Sequence, residues 1–293
     1  MHVPVLVAEI LACLDPKPGD TYLDLTAGYG GHAKAIVGRT NNADGAVLVD
    51  RDPNAIKSLQ ALYADGKPQI IQADFLRASR QLEAEGRSFD LILADLGVSS
   101  PHLNDTSRGF AINAEGPLDM RMDTNQSLTA AEIVNTYSAD DLADILRRYG
   151  EEPKANRIAN LIVQGRPFET TSQLSQTVAK AWPGHSKIHP ATRTFQAIRI
   201  AVNDELGQIS ESLPVWIDLL APGGRIAVVS FHSLEDRLVK QAFQDESGDR
   251  YDAQLELLTK HPVVAGKEEL VTNPRARSAK LRAAVKIKKK GMR

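Results

Sequence analysis

The chain has 293 residues, 42% hydrophobic and 25% charged, with a formal net charge of −2 and one cysteine. That composition suits one large soluble domain, or a domain carrying a sizeable insertion, and excludes an internal disulfide framework. No apolar run reaches membrane length and the N-terminus lacks the basic flank of a signal segment, so a cytoplasmic setting is expected.

Taken in order, Cys13 sits among Ile10, Leu11 and Leu14 and reads as a small core residue. A strand opens at Tyr22 and runs into a turn containing Gly28, Gly30 and Gly31, followed by a helix whose apolar face holds Ala33, Ile36 and Val37. This is the first βα unit of a doubly wound sheet, where such folds bind nucleotides. Gly45 to Asp50 reads as a second strand ending in a carboxylate placed for ribose hydroxyls. A third strand, Gln69 to Gln72, leads to Asp74 and Phe75, suited to the edge and face of an adenine. The fourth, from Phe89, ends at Asp95. The turn Gly28-x-Gly30-x-x-Ala33 also satisfies the dinucleotide pattern, which alone is weak. Asp24 just ahead of the glycines, together with the acids after strands two to four, favours S-adenosylmethionine over NAD.

Beyond about residue 105 the strand signals stop. Thr129 with Glu132 predicts a capping box, and Ser138 with Asp141 a near equivalent. Helix faces follow at Leu142, Ile145, Leu146 and Tyr149, and at Ile158, Leu161 and Ile162. Pro190 is expected in the first turn of a helix bearing Phe195, Ile198 and Val202. A fifth strand, Gly223 to Phe231, resumes the α/β pattern, and Lys280 to Lys288 reads as a half-buried strand with a basic outer face. The expected architecture is an α/β cofactor domain, residues 1–104 and 205–293, interrupted by a helical substrate-recognition domain, 105–204.

Ligands of open α/β sheets lie at the carboxyl ends of the strands. The fourth strand continues into Ser99, Ser100, Pro101 and His102, a backbone able to offer carbonyls to an exocyclic amine. This segment resembles the Ser-Pro-Pro-aromatic motif of amino-methyltransferases, with His102 in the aromatic's place; a plain strand-to-loop turn is the alternative. After the fifth strand, Phe231 could stack a flipped base and His232 or Arg237 contact its edge or a phosphate, with a helix cap the alternative for His232. Seven scattered histidines and one cysteine offer no zinc spacing, so no metal is expected. Acid-free basic stretches, Thr170–Asn203 and everything after Glu269, point to a polyanionic partner. Lys187, Arg193, Arg199, Arg275, Arg277 and Arg282 are the candidate phosphate contacts, Arg193 and Arg199 having a structural alternative.

Long runs beginning at Asp95, Arg108, Gly116, His189, Ser230 and Asn273 together resemble the small-subunit (16S) ribosomal RNA cytosine-N4 methyltransferase family, over nearly the whole chain. The resemblance implies a class I S-adenosylmethionine-dependent methyltransferase domain with a helical insertion, acting on the N4 of a decoding-centre cytosine. It implies 16S rRNA as partner, within the small ribosomal subunit, with no membrane; a homodimer stays open. It places cofactor contacts on Gly30, Gly31, His32, Asp50, Phe75 and Asp95, with His102 where the family commonly has glutamine. Asp95, Ser100 and Pro101 are then the candidates for the chemistry. A DNA or protein N-methyltransferase, or an RNA-binding assembly factor with a vestigial pocket, are the competing classes.

Overall fold

The computed structural model describes residues 4–98, 105–182, 184, 189–248 and 251–287. The elements begin with α1 (Val7–Leu14), β1 (Tyr22–Asp24), α2 (Gly31–Thr40), β2 (Ala46–Asp50), α3 (Pro53–Leu62), β3 (Gln69–Gln72), α4 (Phe75–Ala84) and β4 (Phe89–Asp95). Helices follow: α5 (Ala130–Thr136), α6 (Ala139–Gly150), α7 (Ala155–Gly165), α8 (Thr171–Ala179), α9 (Thr192–Asn203) and α10 (Glu205–Asp218). The remainder is β5 (Leu220–Ser230), α11 (Ser233–Asp245), β6 (Leu255–Leu257), α12 (Lys267–Thr272) and β7 (Lys280–Lys286). Two compact units result, residues 1–97 with 206–293, and residues 98–205.

In the first unit the strands form one sheet in the order β3-β2-β1-β4-β5-β7-β6. β1 to β5 run parallel, and β7 runs antiparallel to both β5 and β6. Parallel strands covered on both faces read as unbroken apolar runs, and Ala46 to Val49 are fully buried accordingly. Each face has its own core. One packs Phe75 and Leu82 of α4, Leu213 and Trp216 of α10 and Phe243 of α11; the other packs Ile10 and Leu14 of α1, Ile36 of α2 and Leu59 of α3. Trp216 is fully buried, donates to Ser79 Oγ at 2.9 Å and meets Phe75 edge-on at 5.5 Å.

The last strand departs from expectation. β7 does not present a basic face: Arg282 and Lys286 are only 8% and 3% exposed. The reason is that helices cover this end of the sheet and supply acceptors, while β6, a three-residue strand too short to leave a sequence signal, pairs with the edge of β7. Asp236 accepts from Arg282 Nε at 2.6 Å, and Lys286 Nζ donates to the carbonyls of Ile217 and Asp218 that end α10.

The second unit packs α5 to α9 around Ile133, Leu142, Leu146, Ile158, Ile162, Leu174, Phe195 and Ile198. Thr129 caps α5, its hydroxyl accepting from Glu132 N at 3.2 Å, and Ser138 caps α6. A complete capping box belongs instead to Thr170 and Gln173, at the start of α8. Pro190 lies ahead of α9 rather than in its first turn, because Ala191 is the N-cap. Before α5 the chain folds back on itself. Arg108 donates to the carbonyls of Arg121 and Met122, Arg121 grips Asp119 through two 2.8 Å bonds, and Asn203 ties Met120 and Met122 to the end of α9.

Candidate active site

The site grows from the carboxyl ends of β1, β2 and β4, where the strand order reverses between β1 and β4. The turn after β1 takes left-handed conformations at Gly28 (φ 53) and Gly30 (φ 82), which side-chain-bearing residues rarely adopt. A Cβ on Gly30 would also lie 2.6 Å from a Leu62 methyl, so this glycine serves packing as well as the turn. α2 then starts with Gly30 at its N-cap and no side-chain cap, leaving its first turn to be completed by another acceptor.

Asp50, ending β2, accepts from Gly28 N and from Asp52 N, both at 2.8 Å, and so holds the glycine turn. Asp52 is 1% exposed and caps α3 by accepting from Asn54 N. Asp24, whose place ahead of the glycines suits a cationic ligand group, is 1% exposed. Its two oxygens accept from Tyr22 Oη at 2.7 Å and Thr26 N at 3.2 Å, so it braces the turn from within the sheet. Burial pushes its carboxyl up to about 6, against the opposing pull of the Tyr22 bond.

Asp95 ends β4, with its backbone N–H donated to Thr26 Oγ1 at 2.6 Å. Its Oδ1 is buried with no hydrogen-bond partner among the described residues. Burial, reinforced by Glu235, pushes this carboxyl up to about 7. His32, in the first turn of α2, places Nε2 2.8 Å from the Val5 carbonyl and Nδ1 3.7 Å from Asp95 Oδ2. Phe231 approaches the turn beyond Asp95, since a Cβ on Gly97 would lie 3.5 Å from its ring.

The structure therefore gathers Gly30, Gly31, His32, Asp50, Asp95 and Phe231 in the first unit. Phe75 follows β3 but is 9% exposed and packed into the core, and Asp74 caps α4 by accepting from Arg77 N at 2.8 Å. His232 takes the capping use: it is the N-cap of α11 in a reciprocal box with Glu235. Glu235, fully buried, accepts from Phe231 N at 2.7 Å; it stands in the run beginning at Ser230 but was given no role, although the spacing from His232 to Glu235 matches a capping box. Arg237, Arg275 and Arg277 are exposed. Arg193 is exposed and donates to the Glu151 carbonyl, whereas Arg199 makes two bonds of 2.9 and 2.8 Å to Glu205. Arg282 is withdrawn into its pair with Asp236, so it is not a surface phosphate contact. Ser99, Ser100, Pro101, His102 and Lys187 lie outside the described residues.

A buried carboxylate oxygen unpartnered among the described residues, an uncapped helix start and a left-handed glycine turn held by the β2 acid suit a ligand with a zwitterionic amino-acid end and a ribose. With the sheet order, they define the class: an S-adenosylmethionine-dependent methyltransferase of the class I fold. The sequence model of the MraW methylase family matches residues 1–287. Ribosomal RNA small subunit methyltransferase H of a Synechocystis species is 48% identical, covering 98% of this chain and 93% of its own. Its counterparts from a Cyanothece species and Magnetococcus marinus are 49% and 44% identical, each over 98% of this chain and over 95% and 98% of their own. The chain belongs to the MraW methylase family.

Proposed function

We propose that this protein transfers the methyl group of S-adenosylmethionine to the exocyclic N4 of a cytosine in small-subunit ribosomal RNA. The observation that carries the reading is the near-full-length identity to relatives named as small-subunit ribosomal RNA methyltransferases. The resemblance of the motifs from Asp95 to Ser278 supports the cytosine amine as target. When bound, the cofactor supplies an electrophilic methyl group on a cationic sulfur. The glycine turn and the start of α2 receive its amino-acid end, and Asp50 accepts from the ribose hydroxyls. Asp95 Oδ1 accepts an N–H of the target amine and so aims its nitrogen; orientation of this kind contributes on the order of several kcal/mol. Phe231 stacks the base, and the 98–205 unit recognises surrounding RNA. The setting is cytoplasmic.

The test is transfer of radiolabelled methyl from S-adenosylmethionine to 30S particles, free 16S rRNA, DNA and bulk protein, followed by mass mapping of the modified nucleoside. Label in N4-methylcytidine of rRNA is expected; label confined to DNA or protein refutes the reading.

Asp50→Ala removes the ribose acceptor and also releases Gly28 N, so cofactor affinity should fall by roughly 1.5–3 kcal/mol, tenfold or more. Asp52→Ala should cost mainly a helix cap, about 1 kcal/mol of stability, with a smaller effect on binding. Calorimetry and melting curves on both variants separate the roles, and a larger binding loss in Asp52→Ala would reverse them.

For the RNA, the exposed Arg275 and Arg277 of the Pro274–Ser278 turn are proposed as phosphate contacts, with Arg237 and Arg193. Arg199 is assigned to the interior of its own unit. Replacing Arg275 and Arg277 by Ala should lower the log–log salt slope of RNA affinity by roughly 0.7–0.9 per lost contact. An unchanged slope in that variant and in Arg193→Ala, with melting temperature and cofactor binding intact, would move the RNA surface elsewhere.

A further inference from the structure

We propose that His32 and Asp95 act as one proton-holding pair, with His32 Nδ1 taking up, by way of the Asp95 carboxylate, the proton that the target amine sheds on methylation. This rests on the methyl-transfer reading above and assigns His32 a task beyond touching the cofactor.

The geometry starts at Val5. Its carbonyl can only accept, so the imidazole Nε2, 2.8 Å away, carries the hydrogen, and the neutral ring's lone pair is on Nδ1. That lone pair faces Asp95 Oδ2 at 3.7 Å, beyond hydrogen-bond length. With no proton between them, two acceptors confront each other in a largely enclosed setting, His32 9% and Asp95 23% exposed; with one proton, the same contact becomes a charge-assisted bond after a shift of under an ångström. The surroundings favour holding that proton. Asp24 and Tyr22 from β1, Glu235 from α11 and Glu269 from α12 act electrostatically on the pair, and each is an acid or a phenol. His232 faces Glu235 from the far side at 3.2 Å. Burial holds the His32 imidazole below its ordinary range and the Asp95 carboxyl above its own, so each group resists carrying a charge alone.

The step balances. The amine's electron pair forms the N–C bond while the C–S pair leaves with sulfur as a neutral thioether. The nitrogen, now cationic, gives one proton to the Asp95 carboxylate, whose rotation hands it to His32 Nδ1. The imidazolium then lies between the Asp95 carboxylate and the Val5 carbonyl until product departure lets water take the proton. Net products are the methylated amine, the thioether and one proton.

Two measurements test this. Full-length protein labelled with 15N-histidine, without cofactor, is titrated by NMR as wild type, Asp95→Asn and His32→Gln, the last identifying the His32 signal. The expected result is an Nε2–H tautomer whose protonation midpoint falls by one pH unit or more in Asp95→Asn, since loss of the carboxylate disfavours the imidazolium. In single-turnover transfer to 16S rRNA at saturating cofactor, His32→Gln should be at least tenfold slower at pH 7 with a displaced pH profile. Its cofactor Kd is measured alongside, because His32 is also a cofactor contact, and saturating cofactor separates any loss of binding from the transfer rate. A His32 midpoint indifferent to Asp95→Asn overturns the pair, as does a His32→Gln defect residing wholly in Kd. If the wild type methylates no ribosomal RNA, the parent reading falls, and the NMR titration still decides whether the pair exists.

Discussion

Asp95→Asn is expected to slow methyl transfer at saturating cofactor by on the order of 10²–10³-fold, the range for loss of a positioned proton acceptor. Shape is conserved, and the Asp95 N–H bond to Thr26 Oγ1 is a backbone feature that the substitution leaves alone. The stability effect should run the other way. A carboxyl raised to about 7 in the fold binds more protons there than in the unfolded chain between about pH 4 and 7. Wild-type stability from this group is therefore present at acid pH and lost as pH rises through 7. The variant carries no such loss, so it should gain roughly 1–4 kcal/mol over the wild type at pH 8 and little at pH 4. Denaturant titrations at both pH values, beside single-turnover rates, check the pair of effects. Near-normal turnover would shift the chemistry to the Ser99–Pro101 backbone.

Gly116→Ala and Gly109→Ala should each destabilise the 98–205 unit by about 3 kcal/mol or more. A Cβ on Gly116 would stand 2.0 Å from the Thr106 carbonyl oxygen, and one on Gly109 would stand 2.1 Å from that of Pro117. Both obstacles are backbone, so relief requires moving the chain. Gly109 adds a left-handed φ of 74. Thermal melts and hydrogen exchange resolved along the chain give the measurement; protection lost across α5 to α9 is the expected pattern. Melting curves superimposable on the wild type would mean that this folded-back segment is looser than its contacts imply.

How much of this was legible beforehand depended on the range of the interaction. Strands β2 to β5 announce themselves as apolar runs, and α2 as a helix behind a glycine turn, because those signals lie within a dozen residues. The acids ending β2 and β4 were placed for the same reason. The burial of Asp24 was hidden because its partners are set by the sheet: pairing with Leu48 and Leu93 seals it from both sides. The basic stretches misled in a similar way. Arg282 meets an acid 46 residues earlier, and Lys286 meets carbonyls 68 and 69 residues earlier, so an acid-free run says little about which cations remain in water. Arg108, Asp119, Arg121 and Asn203 stood in motifs specific enough to suggest a family. Their physical task, tying one loop to the end of α9, lies in hydrogen bonds that a linear reading does not contain.

The position of β7 has a consequence for biosynthesis. β7, the last strand among the described residues, lies inside the sheet between β5 and β6, and both of those strands leave the ribosome before it does. While the polypeptide is emerging, β5 and β6 each expose an edge that waits for a partner still to be translated, the kind of edge that invites pairing with another chain. The 98–205 unit, by contrast, is contiguous and can collapse as soon as it is out. Translation order thus lets the helical unit form early, whereas the sheet is complete only when synthesis has passed residue 286.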